Sequence, residues 1–229
     1  MILSHKYKFI FLKTNKTAGT SIELALSKFC GAEDIITPVT SQDEELRRSL
    51  GHPGPQNHWP SFSDYSRRDW LVALRRVKRK RFYNHMPARE VKLLVGDEIW
   101  NSYFKFCFER NPWDRMISLY WWRCKTEPRP TISEFITSPE TRDLTDRGIG
   151  VYTIGGKLAV DRVCLYENIE AELESVCKHL GLPEKPSLPR AKSSHRVDKR
   201  HYRDVLSPHD REKISARFDR EIALFGYQF

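Results

Sequence analysis

Apolar residues in this chain fall into two kinds of run. Tyr7–Leu12 and Tyr103–Phe108 are short apolar and aromatic stretches, the pattern of strands buried on both faces. Each is followed by a polar loop and then by helical spacing. After the first, Ile22, Ala25, Leu26 and Phe29 recur at i, i+3, i+4 and i+7 before Gly31. After the second, Asn111-Pro112-Trp113-Asp114 supplies a cap, a proline at the first helical position and an early acid, and Met116, Ile117 and Tyr120 continue the helix. Asp161–Tyr166 reads as a third strand, and Ile169–Leu180 as an amphipathic helix stopped by Gly181 and Pro183. Further helices are expected over Trp70–Arg81, over Pro87–Val95 closed by Gly96, and from Ser207-Pro208-His209-Asp210 onward with Ile214, Phe218, Ile222 and Phe225 on one face. Residues 38–66, rich in Pro, Gly, His, Ser and Asp, show no period and read as an irregular insertion. Ser187–Arg203 reads as a basic loop. Alternating strands and helices, without repeats or a composition break, predict one domain over 1–229, a three-layer α/β sandwich with a mostly parallel central sheet.

Composition limits the function classes. Apolar residues make up 39% of the 229 and aromatics 12%, too apolar for a disordered chain, and no apolar run approaches the ~20 residues of a membrane span. The net charge of +9 predicts an anionic partner. Phe9-Ile10-Phe11-Leu12 is too short for a signal-peptide core, and the five cysteines are odd in number without a Cys-x-x-Cys. The chain is therefore expected in the cytoplasm, without a disulfide framework.

The first loop, Lys13-Thr14-Asn15-Lys16-Thr17-Ala18-Gly19-Thr20-Ser21, places backbone N–H groups and a helix N-terminus beside hydroxyls and a lysine, the makings of an anion cradle. The nucleotide P-loop spacing Gly-x-x-x-x-Gly-Lys-[Ser/Thr] is absent, because Lys16 precedes Gly19. By itself this loop is equally a plain strand–helix turn. The second loop changes that. Lys16-Thr17-Ala18-Gly19-Thr20-Ser21 after an aromatic strand, then Arg110-Asn111-Pro112-Trp113-Asp114-Arg115 with Ser118 and Tyr120, resembles the two cofactor motifs of sulfotransferases that use 3′-phosphoadenosine 5′-phosphosulfate, on their carbohydrate-type, family 2-like side. His85-Met86-Pro87-Ala88, Leu165-Tyr166-Glu167-Asn168-Ile169, His201-Tyr202 and the closing Leu224–Phe229 extend the likeness along the chain. Asn15 stands where the family usually has proline, and 38–66 matches nothing in it.

The resemblance implies a fold like that of the P-loop nucleotide-binding proteins and a role for each motif residue. Lys16, Thr17, Ala18, Gly19, Thr20 and Ser21 would hold the 5′-phosphosulfate, with Lys16 also catalytic at the leaving oxygen. Arg110 and Ser118 would hold the 3′-phosphate, Arg200 would lie in a basic loop over the nucleotide, and His85 would be the base, with Glu23 and Glu109 in reserve. An imidazole titrating near neutrality suits that task. Trp113, Tyr120, Trp121 and Trp122 read either as core or as a stacking surface for adenine or sugar. The expected reaction is sulfuryl transfer to a hydroxyl, or an amine, of a saccharide or small molecule, with no metal and no nucleic-acid partner. A non-catalytic module for acidic glycan or nucleic acid is the alternative, and a kinase is disfavoured by the missing P-loop lysine and magnesium ligand. Eight basic residues against Asp69 fall in 66–81 and seven against Asp198 in 185–203, so the charge is concentrated beside the expected base and in the expected covering loop.

Overall fold

The computed structural model describes residues 1–60, 80–189 and 198–229. Residues 70–79 of the expected helix at Trp70–Arg81 and the centre of the basic loop at 187–203 lie outside the described residues, and Lys80 and Arg81 are not helical. Strands β1 (Ile2–Ser4), β2 (Phe9–Leu12), β3 (Ile35–Ile36), β4 (Phe104–Glu109), β5 (Thr153–Ile154), β6 (Lys157–Leu158) and β7 (Arg162–Leu165) form a five-stranded sheet in the order β3-β1-β2-β4-β7 and a separate β5-β6 hairpin. The main helices are α1 (Gly19–Ser27), α2 (Ser41–Ser49), α3 (Ala88–Ser102), α4 (Pro112–Arg123), α5 (Ile132–Thr137), α6 (Arg142–Asp146), α7 (Ile149–Tyr152), α8 (Ile169–His179), α9 (Tyr202–Val205), α10 (Pro208–Arg217) and α11 (Asp219–Phe225).

The sheet is mixed rather than mostly parallel. β2 pairs parallel with β4, and β4 with β7, but β1 runs antiparallel to both β2 and β3. The correction comes from a strand of only three residues that returns into β2 through a tight turn, as only antiparallel neighbours can. Alternation along the strands separates two cores. Phe9, Phe11, Phe106 and Phe108 join Ile22 and Leu26 of α1 and Leu173 and Val176 of α8 on one face. Ile10, Leu12 and Cys107 join Ala88, Val91 and Trp100 of α3 with Val151 and Tyr152 of α7 on the other. Aromatic contact across the parallel pair, such as Phe11 on Phe106 with centroids 5.3 Å apart, fixes the register Phe11↔Phe106, Leu12↔Cys107. Both strands therefore end side by side, and their loops leave together from the carboxyl edge, where open α/β sheets hold ligands.

Two other expectations are corrected. Residues 41–49 of the irregular insertion are helical, capped by the Thr40 side chain accepting from Asp43 N at 3.3 Å. Gly96 does close the helix that begins at Ala88, with non-helical backbone at φ 80° and ψ 168°, and a second helical stretch follows directly to Ser102. The C-terminal helix is two, broken at Phe218 (φ −116°, ψ 27°), whose ring is fully buried in a third cluster that also holds Trp113, Met116 and Ile214. No helix among the described residues is long and apolar enough to cross a membrane.

Candidate active site

The loop from Lys13 to Ala18 turns out of β2 through two left-handed residues, Lys16 at φ 65° and Ala18 at φ 58°. His85, at φ 59°, is a third, so three of the five non-glycine residues with positive φ among those described gather here. Such backbone costs about 1–2 kcal/mol per residue and persists where surrounding contacts enforce it. Ala18 is the N-cap of α1 and has no side chain with which to cap it. The start of this nine-residue helix therefore presents its positive dipole end and backbone donors to the loop's concavity, with Thr20 and Ser21 in its first turn. Gly19 is required by space. A Cβ there would stand 2.6 Å from Lys13 Cγ, because the Lys13 chain crosses the helix start. Thr17 directs its hydroxyl inward, 2.8 Å from that of Thr14, which donates to the Phe108 carbonyl.

The second motif braces the first. Arg115, buried to 1% exposure, donates to the Asn15 carbonyl at 2.8 Å and to Glu109 Oε1 at 2.5 Å. Asn15 N donates in turn to the Arg147 carbonyl at 2.7 Å. Arg110 leaves the end of β4 and reaches the same loop, its Nη1 donating to the Lys16 carbonyl at 3.1 Å. Its Nε and Nη2 lie on Asp114 at 2.9 and 2.5 Å, and its guanidinium stacks over Tyr166 at 4.1 Å. A guanidinium has five N–H donors, so these contacts leave donors for an anion. Asn111 caps α4, accepting from Trp113 N at 3.1 Å and Asp114 N at 3.3 Å. Glu167 accepts from Asn111 N at 2.6 Å, and Asn111 Nδ2 donates to Tyr202 Oη at 3.3 Å.

Along α4, Asp114, Ser118 and Trp122 follow one another at i, i+4 and i+8, half-buried beside deeply buried neighbours. Lys16 Nζ lies over the Trp122 ring at 4.8 Å, so the stripe that carries Ser118 runs alongside the first loop. Trp113 and Tyr120 are core; Trp121 and Trp122 are half-exposed.

These features converge with comparisons to known proteins. The sulfotransferase family model matches residues 1–151, which hold both loops, His85 and all of α4. The chain belongs to the sulfotransferase family. The match is to its family 2-like side. An uncharacterized protein of Archaeoglobus fulgidus is 36% identical over 104 residues, 43% of this chain and 85% of its own length. No solved structure matches.

In this sulfotransferase-family chain His85 sits beside the cradle, its Nδ1 2.9 Å from the Lys13 carbonyl. A carbonyl only accepts, so Nδ1 carries the proton and Nε2 keeps its lone pair. Burial, then the Lys13 charge, push the imidazole down to about 3, against the opposing effect of that hydrogen bond, so it is neutral at physiological pH. The reserve carboxylates are engaged elsewhere. Glu109 is fully buried between Arg115, Arg110 N and Tyr152 Oη, the last at 2.8 Å. Glu23 is fully buried with Lys13 Nζ at 3.0 Å, the Met1 amino group at 3.3 Å and Arg47 at 3.5 Å. Burial pushes Glu23 up, but these charges outweigh it and hold it below the usual carboxylate range. Arg200 is exposed, its guanidinium on Asp198 at 2.7–3.1 Å, shortly before Tyr202 anchors the chain at Asn111.

Arg115, Tyr166 and Glu167, which carry no assigned role in the sequence, and Asp114, there only an early helix acid, hold the two loops in place. The second arginine of Arg-Asn-Pro-Trp-Asp-Arg was the available signal. A cavity of about 570 Å³ bounded by Leu3, Ile35, Trp59, Phe82, Leu93 and Ile99 includes none of the candidate site residues.

Proposed function

We propose that this chain transfers a sulfuryl group from 3′-phosphoadenosine 5′-phosphosulfate to a hydroxyl or amine of a saccharide or small-molecule acceptor. The observation that carries the reading is the joining of the two loops. Arg110 Nη1 rests on the carbonyl of Lys16, so the residues suited to the two ends of a 3′,5′-substituted nucleotide belong to one continuous surface.

Lys16 and the N–H groups at the start of α1, with Thr17, Ala18, Gly19, Thr20 and Ser21, hold the 5′ end. Arg110 and Ser118 hold the 3′-phosphate, the arginine through donors its protein contacts leave open. The donor supplies an activated sulfuryl group, and the protein supplies position and positive charge where negative charge spreads. Lys16 neutralises charge on the departing oxygen, and His85 Nε2 accepts the acceptor's proton. An imidazole held as low as His85 is a weak base until a polyanion arrives. Negative charge in the cradle offsets Lys13 and Arg147, two of the cations that depress it, and so raises its basicity in the loaded state. Arg200 lies near the nucleotide's outer face. No step calls for a metal, and a cytoplasmic location fits the unpaired cysteines.

The test is thermal unfolding with adenosine 3′,5′-bisphosphate in the absence of magnesium, alongside an acceptor screen with labelled donor read by mass. The reading expects a rise in Tm that grows with ligand concentration. No shift at millimolar ligand contradicts it.

A further inference from the structure

The segment at 38–66 has no counterpart in the family resemblance, yet its helix α2 sends an arginine to the back of the site. Arg47 is fully buried, with Nη1 3.0 Å from both oxygens of Glu44 and Nη2 3.5 Å from Glu23 Oε1. Its Nε has no hydrogen-bond partner among the described residues. Glu23, on α1, also accepts from Thr37 Oγ1 at 3.2 Å and from Lys13 Nζ at 3.0 Å. Lys13 is the residue whose carbonyl accepts the Nδ1–H of His85. Contacts therefore run from α2 through α1 and the first loop to the imidazole.

Buried charges of this kind are poor stabilisers, because desolvation offsets most of their attraction; their better-attested use is to fix one arrangement among several. Here the arrangement is that of Lys13. Its chain crosses the start of α1 against Gly19, within reach of any anion bound there. With the ammonium tied to Glu23, the side chain stays behind the loop, Lys16 is left as the lysine of the cradle, and the Lys13 carbonyl stays aimed at His85.

We propose that Lys13, held by Glu23, which Arg47 braces from α2, is a positioning residue for His85, fixing the Nδ1–H tautomer and keeping the ring neutral with Nε2 open until an anion occupies the cradle. The proposal rests on the reading of His85 as the proton acceptor in sulfuryl transfer. The charged groups facing His85 are Lys13 from the first loop, Arg147 after α6 and the Met1 amino group just ahead of β1, itself pushed down to about 5 by burial; Glu23 on α1 opposes them through Lys13.

The experiment follows the His85 ring protons by NMR against pH in the full chain, with His85→Gln for assignment. Lys13→Met keeps the backbone carbonyl and most of the chain's volume while removing the charge. In the wild type the His85 resonance should stay unprotonated down to pH 5; in Lys13→Met its midpoint should rise by about one pH unit or more. Lys13→Arg should restore the wild-type curve. Adding adenosine 3′,5′-bisphosphate should raise the wild-type midpoint. Should Lys13→Met fold poorly, Arg47→Met removes a more distant cation of the same network and should give a smaller upward shift. Equal midpoints in wild type and variants, or a wild-type midpoint near 6.5, overturn the proposal. A shifted midpoint in a protein that binds no bisphosphate would instead retain the network and overturn the sulfuryl-transfer reading.

Discussion

Arg115 and Glu109 face each other at 2.5 Å with neither side chain more than 1% exposed, so removing the guanidinium leaves a carboxylate buried and unpaired. Arg115→Met should cost about 3–5 kcal/mol in urea denaturation. Because the same guanidinium supports the Asn15 carbonyl, bisphosphate affinity should fall with stability. Gly19→Ala meets Lys13 Cγ in mid-chain rather than at a mobile tip, and overpacking of this kind costs about 1–3 kcal/mol. His85→Ala should separate chemistry from binding: transfer drops by about 10²–10⁴-fold while bisphosphate affinity changes little, and undiminished turnover would remove His85 from the mechanism. At this scale Lys16, Arg110, Ser118 and His85 stand out in the sequence because their residue types and spacing match a known pattern, and what the fold adds is that the loops carrying Lys16 and Arg110 meet. Lys13, Arg115 and Glu167 were not, since their roles depend on partners distant in sequence that only the folded sheet brings together.

Among the elements, those read correctly carry their own signals: aromatic strands in β2 and β4, and a cap followed by proline in α4. Helix α2 carries none in its hydropathy, since its inward residues are Asp43 and Arg47, and a charged buried face leaves no apolar period to read. β1 is too short to show alternation, and the break at Phe218 is made by a buried ring whose apolar spacing continues straight through it. The caps of α4 and α10 offer a controlled comparison. Asn111→Ala and Ser207→Ala each remove a side-chain cap and should each cost about 1 kcal/mol of stability. Only Asn111 adjoins Arg110, so only Asn111→Ala should also weaken bisphosphate binding; equal effects of both variants on affinity would detach the cap from the site.

For the whole molecule, the depressed imidazole makes stability depend on pH. His85 titrates at about 3 when folded against 6.5 when unfolded, so the unfolded chain binds the extra proton between those values. Its contribution to stability is fully present above pH 6.5 and is lost as pH falls toward 3. Glu23, held below its usual range, adds a loss at the acid end of that window. Urea titrations of His85→Gln should therefore show a shallower decline between pH 6.5 and 4 than the wild type, without abolishing it. The joining of Lys16 and Arg110 on one surface is tested most directly by calorimetric titration without magnesium, comparing adenosine 3′,5′-bisphosphate with adenosine 5′-monophosphate on the wild type and on Arg110→Ala. A charge-assisted fork of about 1.5–3 kcal/mol predicts at least tenfold preference for the bisphosphate, abolished in Arg110→Ala. Equal affinity for the two nucleotides in the wild type, or an undiminished preference in the variant, would contradict it.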